Sequence, residues 1–192
     1  MDAVTQLNWV DIAVLILLFR IGYVALKTGL PIEVFKFLGV ITAIYISCHY
    51  YTALSDFMRQ RLTGKVMPLA LMDFLCFVIL ANMGYLAFVL LRGFFSHLMK
   101  MEPVTTLFKW AGLALGLVRG YLICGIIVFS MSISSVQYLK TSASHSYLGK
   151  RLFEVPSSIY AWLWQNVTSN FMTGEKYNST IDEIKQGFLN KE

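Results

Sequence analysis

The chain has 192 residues, 57% hydrophobic and 14% charged, with a formal net charge of +5 and a mean hydropathy of +0.62. Soluble domains carry about 25% charged residues, so this composition excludes an ordinary soluble domain and points to an integral membrane protein. The positive balance does not indicate a nucleic-acid partner: the basic residues stand at the ends of apolar segments, where they suit headgroup contact and topology, and no aromatic-plus-basic block of a single-strand binder occurs.

Four segments are long and apolar enough for the ~20 residues that cross a bilayer core. The first spans about residues 10–26, carries Arg20, and stops at Gly29 and Pro31, which signal a tight turn. The residues before it lack a basic stretch, and no small-residue cleavage site follows it, so it reads as a retained helix and not a removed signal peptide. The second span, 34–51, follows closely, so the two are expected to form an antiparallel hairpin. A polar connection over 55–65 holds Asp56, Arg59, Arg61 and Lys65. The third span, 67–91, contains Asp73 and Asn82; a mixed interfacial stretch with His97, Lys100, Glu102 and Pro103 leads to the fourth, 107–133. These four make a membrane domain, residues 1–135, of two hairpins.

Residues 136–192 are too polar to span. Apolar clusters alternate there with Lys150, Arg151 and Glu154, followed by Tyr160, Trp162 and Trp164. Aromatics of this kind favour the interface, so one or two amphipathic helices lying on the bilayer are expected. The stretch after Thr173 is polar and expected to be loosely ordered, apart from a short helix near 181–188. Cys48, Cys76 and Cys124 lie in apolar segments without CxxC spacing and read as small buried hydrophobes. Asn166 and Asn178 open N-x-T/S patterns, which matter only in a lumenal segment. With four spans, six basic residues flank the side of the termini and five the other, so charge does not decide orientation.

Helical geometry assigns the faces. Asp11, Leu18, Gly22 and Gly29 fall within roughly 40° of one another, with Arg20 opposite, where it needs a partner of its own or must snorkel. Gly112, Gly116, Arg119 and Gly120 share about 100° of the fourth span. Small residues four apart let helix backbones approach, which turns Arg119 into the bundle, where it needs a carboxylate or carbonyls. Asp11 and Asp73 are the candidate acids, although each also reads as a helix-start residue favouring the dipole. His49 reads as an interfacial residue, because no second ligand stands at metal spacing. DIAVLILLFRIGYVA, from Asp11, and DFLCFVILANMGYLA, from Asp73, align Asp, Gly, Tyr and Ala, and place Arg20 opposite Asn82. Gly39 and Gly116 also sit in similar contexts, so the two hairpins form a possible tandem repeat about an axis along the membrane normal.

Trp9 and Asp11 at the start of the first helix, Gly29 and Glu33 in the turn, His49-Tyr50-Tyr51-Thr52 closing the second, and GLALGLVRG over 112–120 together resemble the colicin V production protein (CvpA) family of bacterial inner-membrane proteins. The resemblance covers roughly 8–135 and implies a four-helix architecture, an inner-membrane location, and an association with colicin V export and envelope physiology. The chain departs from the family pattern at Thr28, where a basic residue usually precedes the turn glycine, and at Phe108 and Lys109, where an acid often precedes the glycine run. Two functions follow as expectations. One is a non-enzymatic protein supporting toxin production or export and envelope homeostasis through partner contacts. The alternative is a small oligomeric channel or transporter using Arg119 with Asp11 or Asp73. An enzyme is not expected, since no HExxH, GxSxG or paired-Asp motif occurs. No cofactor or metal is implied, and the expected partners are the lipid bilayer and either a second copy or another membrane protein.

Overall fold

The computed structural model describes residues 8–61, 68–98, 106–172 and 174–189. Lys65, Lys100, Glu102 and Pro103 lie outside the described residues, as does the side chain of His97. Four long helices form the bundle: α1 (Trp9–Thr28), α2 (Leu30–Arg61), α3 (Leu69–Leu98) and α4 (Thr106–Ile133). All four are long and apolar enough to cross a membrane. α5 (Gln137–His145) and α6 (Tyr147–Leu163) follow; a π-turn (Trp164–Thr168) and the single turn α7 (Ser169–Phe171) extend α6, and α8 (Thr180–Leu189) ends the described chain.

α1 opens with a capping box, in which the Asn8 side chain accepts from the backbone of the first turn and Asp11 accepts from the Asn8 amide at 2.9 Å. It closes at Gly29, the only residue between α1 and α2, with φ 73°. That left-handed φ suits glycine and would strain any other residue. Pro31 follows in the first turn of α2, where its missing N–H costs no helical bond. α2 runs ten residues past its expected end, through the stretch expected to be a polar connection. Ser55 is buried there, Leu54 packs on the core, and Asp56 pairs with Arg59 at 3.8 Å. Its 32 residues reach about 48 Å, so it extends beyond a ~30 Å hydrocarbon layer.

The hairpins expected from short connections are not the packing units. α2 packs most extensively on α3, and α1 on α4, while α1 and α2 touch little. Glycines explain the choice. A Cβ on Gly84 would stand 2.9 Å from the backbone of Ala43, and one on Gly39 2.9 Å from Phe88, so α2 and α3 meet backbone to backbone. On α4, Gly112 meets the backbone of the α1–α2 turn, Gly116 the Cβ of Ala25, and Gly120 the side chains of Leu18 and Ile21. Close approach at small residues supplies the van der Waals contact that drives helix association in lipid, and the α1–α2 pair has no such seam. Exchanging α1 with α3 and α4 with α2 maps one tight pair onto the other, with Gly22 and Gly84 as corresponding residues.

The segment read as a peripheral tail enters the same core. Tyr51, Phe77, Phe129, Phe153 and Phe188 form a chain of ring contacts, with successive centroids 5.9, 5.4, 5.3 and 3.9 Å apart, linking α2, α3, α4, α6 and α8. Aromatic pairs contribute about 0.5–1.5 kcal/mol each beyond area burial. α6 therefore presents its apolar face, with Leu152, Phe153 and Tyr160, to α4 and α2 and not to lipid. Tyr147, Trp162 and Phe171 remain exposed.

Candidate functional site

Among the described residues, a nearly fully buried ion pair joins α2 to α4. Gly112 rides over the α1–α2 turn, where a Cβ would come 2.8 Å from the Gly29 carbonyl carbon. One turn on, a Cβ on Gly116 would overlap Ala25; a further turn on, one on Gly120 would press on Leu18 and Ile21 at 3.1 and 3.3 Å. As the α4 numbers rise the α1 numbers fall, so the two helices are antiparallel. The stripe places Arg119 inside, 5% exposed, with Nη2 3.1 Å from Oε2 of the fully buried Glu33. The other carboxylate oxygen of Glu33 accepts from Lys36 Nζ and from the Thr28 hydroxyl, both at 2.6 Å. One carboxylate thus faces two cations and a hydroxyl, in a setting where an unpaired charge is costly. Thr28 serves here as a neutral donor to Glu33.

This corrects the expected partner of Arg119: it is Glu33, and neither Asp11 nor Asp73. The reason is depth. Glu33 follows the turn by only four residues, and the glycine seam brings that turn down onto α4 within reach of Arg119. Asp11 lies at the opposite end of α1. The Arg119–Glu33 pair has no counterpart in the other half of the bundle, since the alignment of Gly116 with Gly39 sets Thr42 opposite Arg119.

Asp11 is fully buried and joins two helix starts. Besides capping α1, its Oδ1 accepts from the Ser146 hydroxyl at 2.6 Å and from the Leu148 amide at 2.9 Å. Ser146 in turn caps α6, accepting from the Gly149 amide at 2.8 Å. One anion therefore answers the unsatisfied amides and positive ends of both α1 and α6. Asn8 and Trp9 add hydrogen bonds to the Ser142 carbonyl and hydroxyl, 2.8 and 3.0 Å. Asp11→Ala is expected to lower stability by about 1–4 kcal/mol, from two caps at about 0.5–2 each. Amide hydrogen exchange at Leu148 and Gly149 should rise before exchange in α2 and α3, and equal acceleration throughout would refute the local role.

A third cluster gathers around His49 in the second half of α2. His49 is buried, with Nδ1 2.9 Å from the Tyr160 hydroxyl and Nε2 2.8 Å from Glu175 Oε2. The Asn178 amide donates to the Tyr160 oxygen at 2.9 Å, which leaves the phenolic proton for Nδ1. Burial pushes the phenols of Tyr160 and Tyr177 up, the latter to about 12, so both keep their protons at neutral pH. Tyr50 donates to Glu175 at 2.8 Å, and the Asn178 side chain donates to the Cys48 carbonyl at 2.8 Å. Tyr45 and Trp164 stack on the imidazole, with centroids 5.4 and 5.3 Å away. The segment expected to be loosely ordered after residue 173 is thus fastened to α2 by Glu175 and Asn178. Glu175 and Asn178 lie more than a hundred residues from α2 in sequence, and only Asn178 carried a local signal, as a glycosylation pattern. Among the described residues no group of three His, Cys, Asp or Glu side chains comes together as a metal site.

The remaining candidates stand apart. Gly22 is buried, with Leu113 and Leu117 of α4 3.3 Å from where a Cβ would be. Gly29 forms the turn. Asp73 is half-buried near the start of α3, within electrostatic reach of Tyr51. Asn82 is exposed and returns its amide to the Val78 carbonyl at 2.8 Å. Arg20 is exposed on the outer side of α1. Arg119, Asp11, Asp73 and Arg20 therefore do not converge on one site.

Four span-length helices closed around a buried carboxylate–guanidinium contact, with a helical tail locked onto one end, define an α-helical membrane protein. The family model for colicin V production protein matches residues 10–155, and the chain belongs to that family. No curated protein and no solved structure matches the chain. The matched range contains Asp11, Glu33, Arg119 and Ser146, whereas Tyr160, Glu175 and Asn178 lie beyond it.

Proposed function

We propose that the protein is a non-enzymatic, multi-pass component of the bacterial inner membrane. It supports colicin V production or export and envelope homeostasis through contacts with other membrane proteins. The family match carries the reading. The geometry adds support: Arg119 is held by Glu33, and Asp11 is used up in capping α1 and α6. The channel alternative routes solute past Arg119 together with Asp11 or Asp73, and these side chains do not share a path.

Two assays in parallel test the proposal. Expression of the chain in a colicin V-producing strain that lacks its own family member is expected to restore secreted colicin V. Purified protein in sealed liposomes is expected to pass ions and small solutes no faster than empty liposomes. Flux that Arg119→Ala abolishes would replace this reading with the channel, and intact protein that fails to restore colicin V would remove the assigned role.

A further inference from the structure

Arg20 stands in the middle of α1 without an ion pair or a hydrogen bond among the described residues. It is exposed on α1, while Arg119 is enclosed. Ile16, Phe19 and Tyr23 around it are also exposed, so this face of α1 looks outward into the hydrocarbon. α1 has 20 residues, which matches the thickness of a bilayer core. Arg20 stands about 16 Å from one end of the helix and about 12 Å from the other. An extended arginine side chain is shorter than either distance. Helix geometry also tilts its Cα–Cβ bond toward the N-terminus, which is the longer way out. Snorkelling therefore leaves the guanidinium within the apolar layer, where a charge is costly without a partner.

An open apolar groove of about 490 Å³ lies between α1 and α4, lined by Leu15, Phe19, Gly22, Tyr23, Leu113 and Leu117, and it adjoins the Arg20 face at Phe19 and Tyr23. Acyl chains fill such a groove but offer Arg20 no acceptor. Seven residues on, Lys27 repeats the positive charge on the same face, over the Tyr23 ring at 4.4 Å. No carboxylate in the described part of the span helices is placed to supply the anion from a second copy. Among the described residues, the carboxylates in the span helices are Asp11, Glu33, Asp56 and Asp73. The first two are buried and bonded inside, Asp56 pairs with Arg59 at the far end of α2, and Asp73 is half-buried close to the start of α3.

We propose that this face of α1 is the docking surface for a transmembrane helix of another protein that carries a carboxylate near the middle of its span. The proposal rests on the partner-contact reading above and names the contact face and the chemistry of the partner.

The test uses the full chain in phosphatidylcholine liposomes. The probes are labelled Leu/Ala transmembrane peptides of about 20 residues, whose central residue is Glu, Leu or Lys, with association read by energy transfer. The Glu peptide is expected to bind at least about tenfold tighter than the Leu peptide. Arg20→Leu should erase that preference while keeping wild-type helicity, since it places an apolar side chain on a lipid-facing position. Arg20→Lys should retain the preference, and Arg20→Glu should transfer it to the Lys peptide. Equal binding of Glu and Leu peptides to the wild type overturns the proposal. So does a preference that survives in Arg20→Leu. Arg20-dependent self-association would give the face to a second copy, and Arg20-dependent binding only to vesicles with anionic lipid would give it to a headgroup; either result also overturns it. A failed peptide assay beside restored colicin V production would remove α1 as the contact face and leave the functional reading standing.

Discussion

Replacing Glu33 by Leu is expected to destabilise the bundle by about 3–5 kcal/mol, the usual cost of stripping a buried charge of its partner. Arg119 would remain inside with Nη2 and Nε both lacking an acceptor, and Lys36 would lose its own, while the Thr28 hydroxyl would fall back on the Val24 carbonyl at 3.2 Å. Unfolding in mixed detergent micelles, followed by helicity, measures the loss. The double variant Glu33→Leu/Arg119→Met should recover most of it, because apolar replacement of a whole buried ion pair is often neutral or stabilising. A double variant no better than Glu33→Leu would mean that the carboxylate works through the α1–α2 turn and not through Arg119.

A methyl group on the α4 seam is the second change with a large effect. Gly116→Ala sets a Cβ onto that of Ala25, and Gly112→Ala drives one to 2.8 and 3.0 Å from backbone atoms of Gly29 and Leu30. A turn with a left-handed glycine at its centre has little room to retreat. Overpacking of this kind costs about 1–3 kcal/mol per site, and α1 must lift from α4 to relieve it. Gly93→Ala, where a Cβ meets nothing within 4 Å, is the matched control and should be neutral or slightly stabilising. Ala25→Gly combined with Gly116→Ala should restore stability, whereas Gly112→Ala has no such remedy because its obstacle is backbone. If Gly116→Ala unfolds like the Gly93→Ala control, the seam is not what holds α1 to α4.

The two sets of variants bear on different links between structure and function. Loss of the seam separates α1 from α4 and takes the Arg20 face with it. Loss of the ion pair disturbs the interior and leaves the outer surface of α1 in place. Colicin V production that tolerates the Glu33→Leu/Arg119→Met pair would make the pair a structural device. Production that fails in a fully folded double variant would show that the charges themselves are used.

The sequence alone determined the membrane class, the four spans, the turn at Gly29, the inward glycine–arginine stripe of α4 and the outward position of Arg20. Each of these follows from local quantities: apolar run length, a backbone position only glycine tolerates, and the angular spacing of a helix. Its resemblance to the colicin V production family rested on the same local motifs. The tertiary structure decided which helices pair and at what depth. A short connection promised an α1–α2 hairpin, but glycine seams joined α1 to α4 and α2 to α3, because in lipid close backbone contact outweighs adjacency in the chain. The same seam lowered Glu33 onto Arg119, in preference to Asp11 or Asp73. Asp11 showed its helix-start role in the sequence, but its second role at α6 depends on Ser146 and Leu148, more than 130 residues away. His49 looked bland for the same reason, since Tyr160, Glu175 and Asn178 reach it only once α6 and the following segment fold back over α2. Periodicity tells which way a side chain points on its own helix. Which partner meets it there depends on the register between helices, and that register is set by side-chain volumes summed over a whole interface.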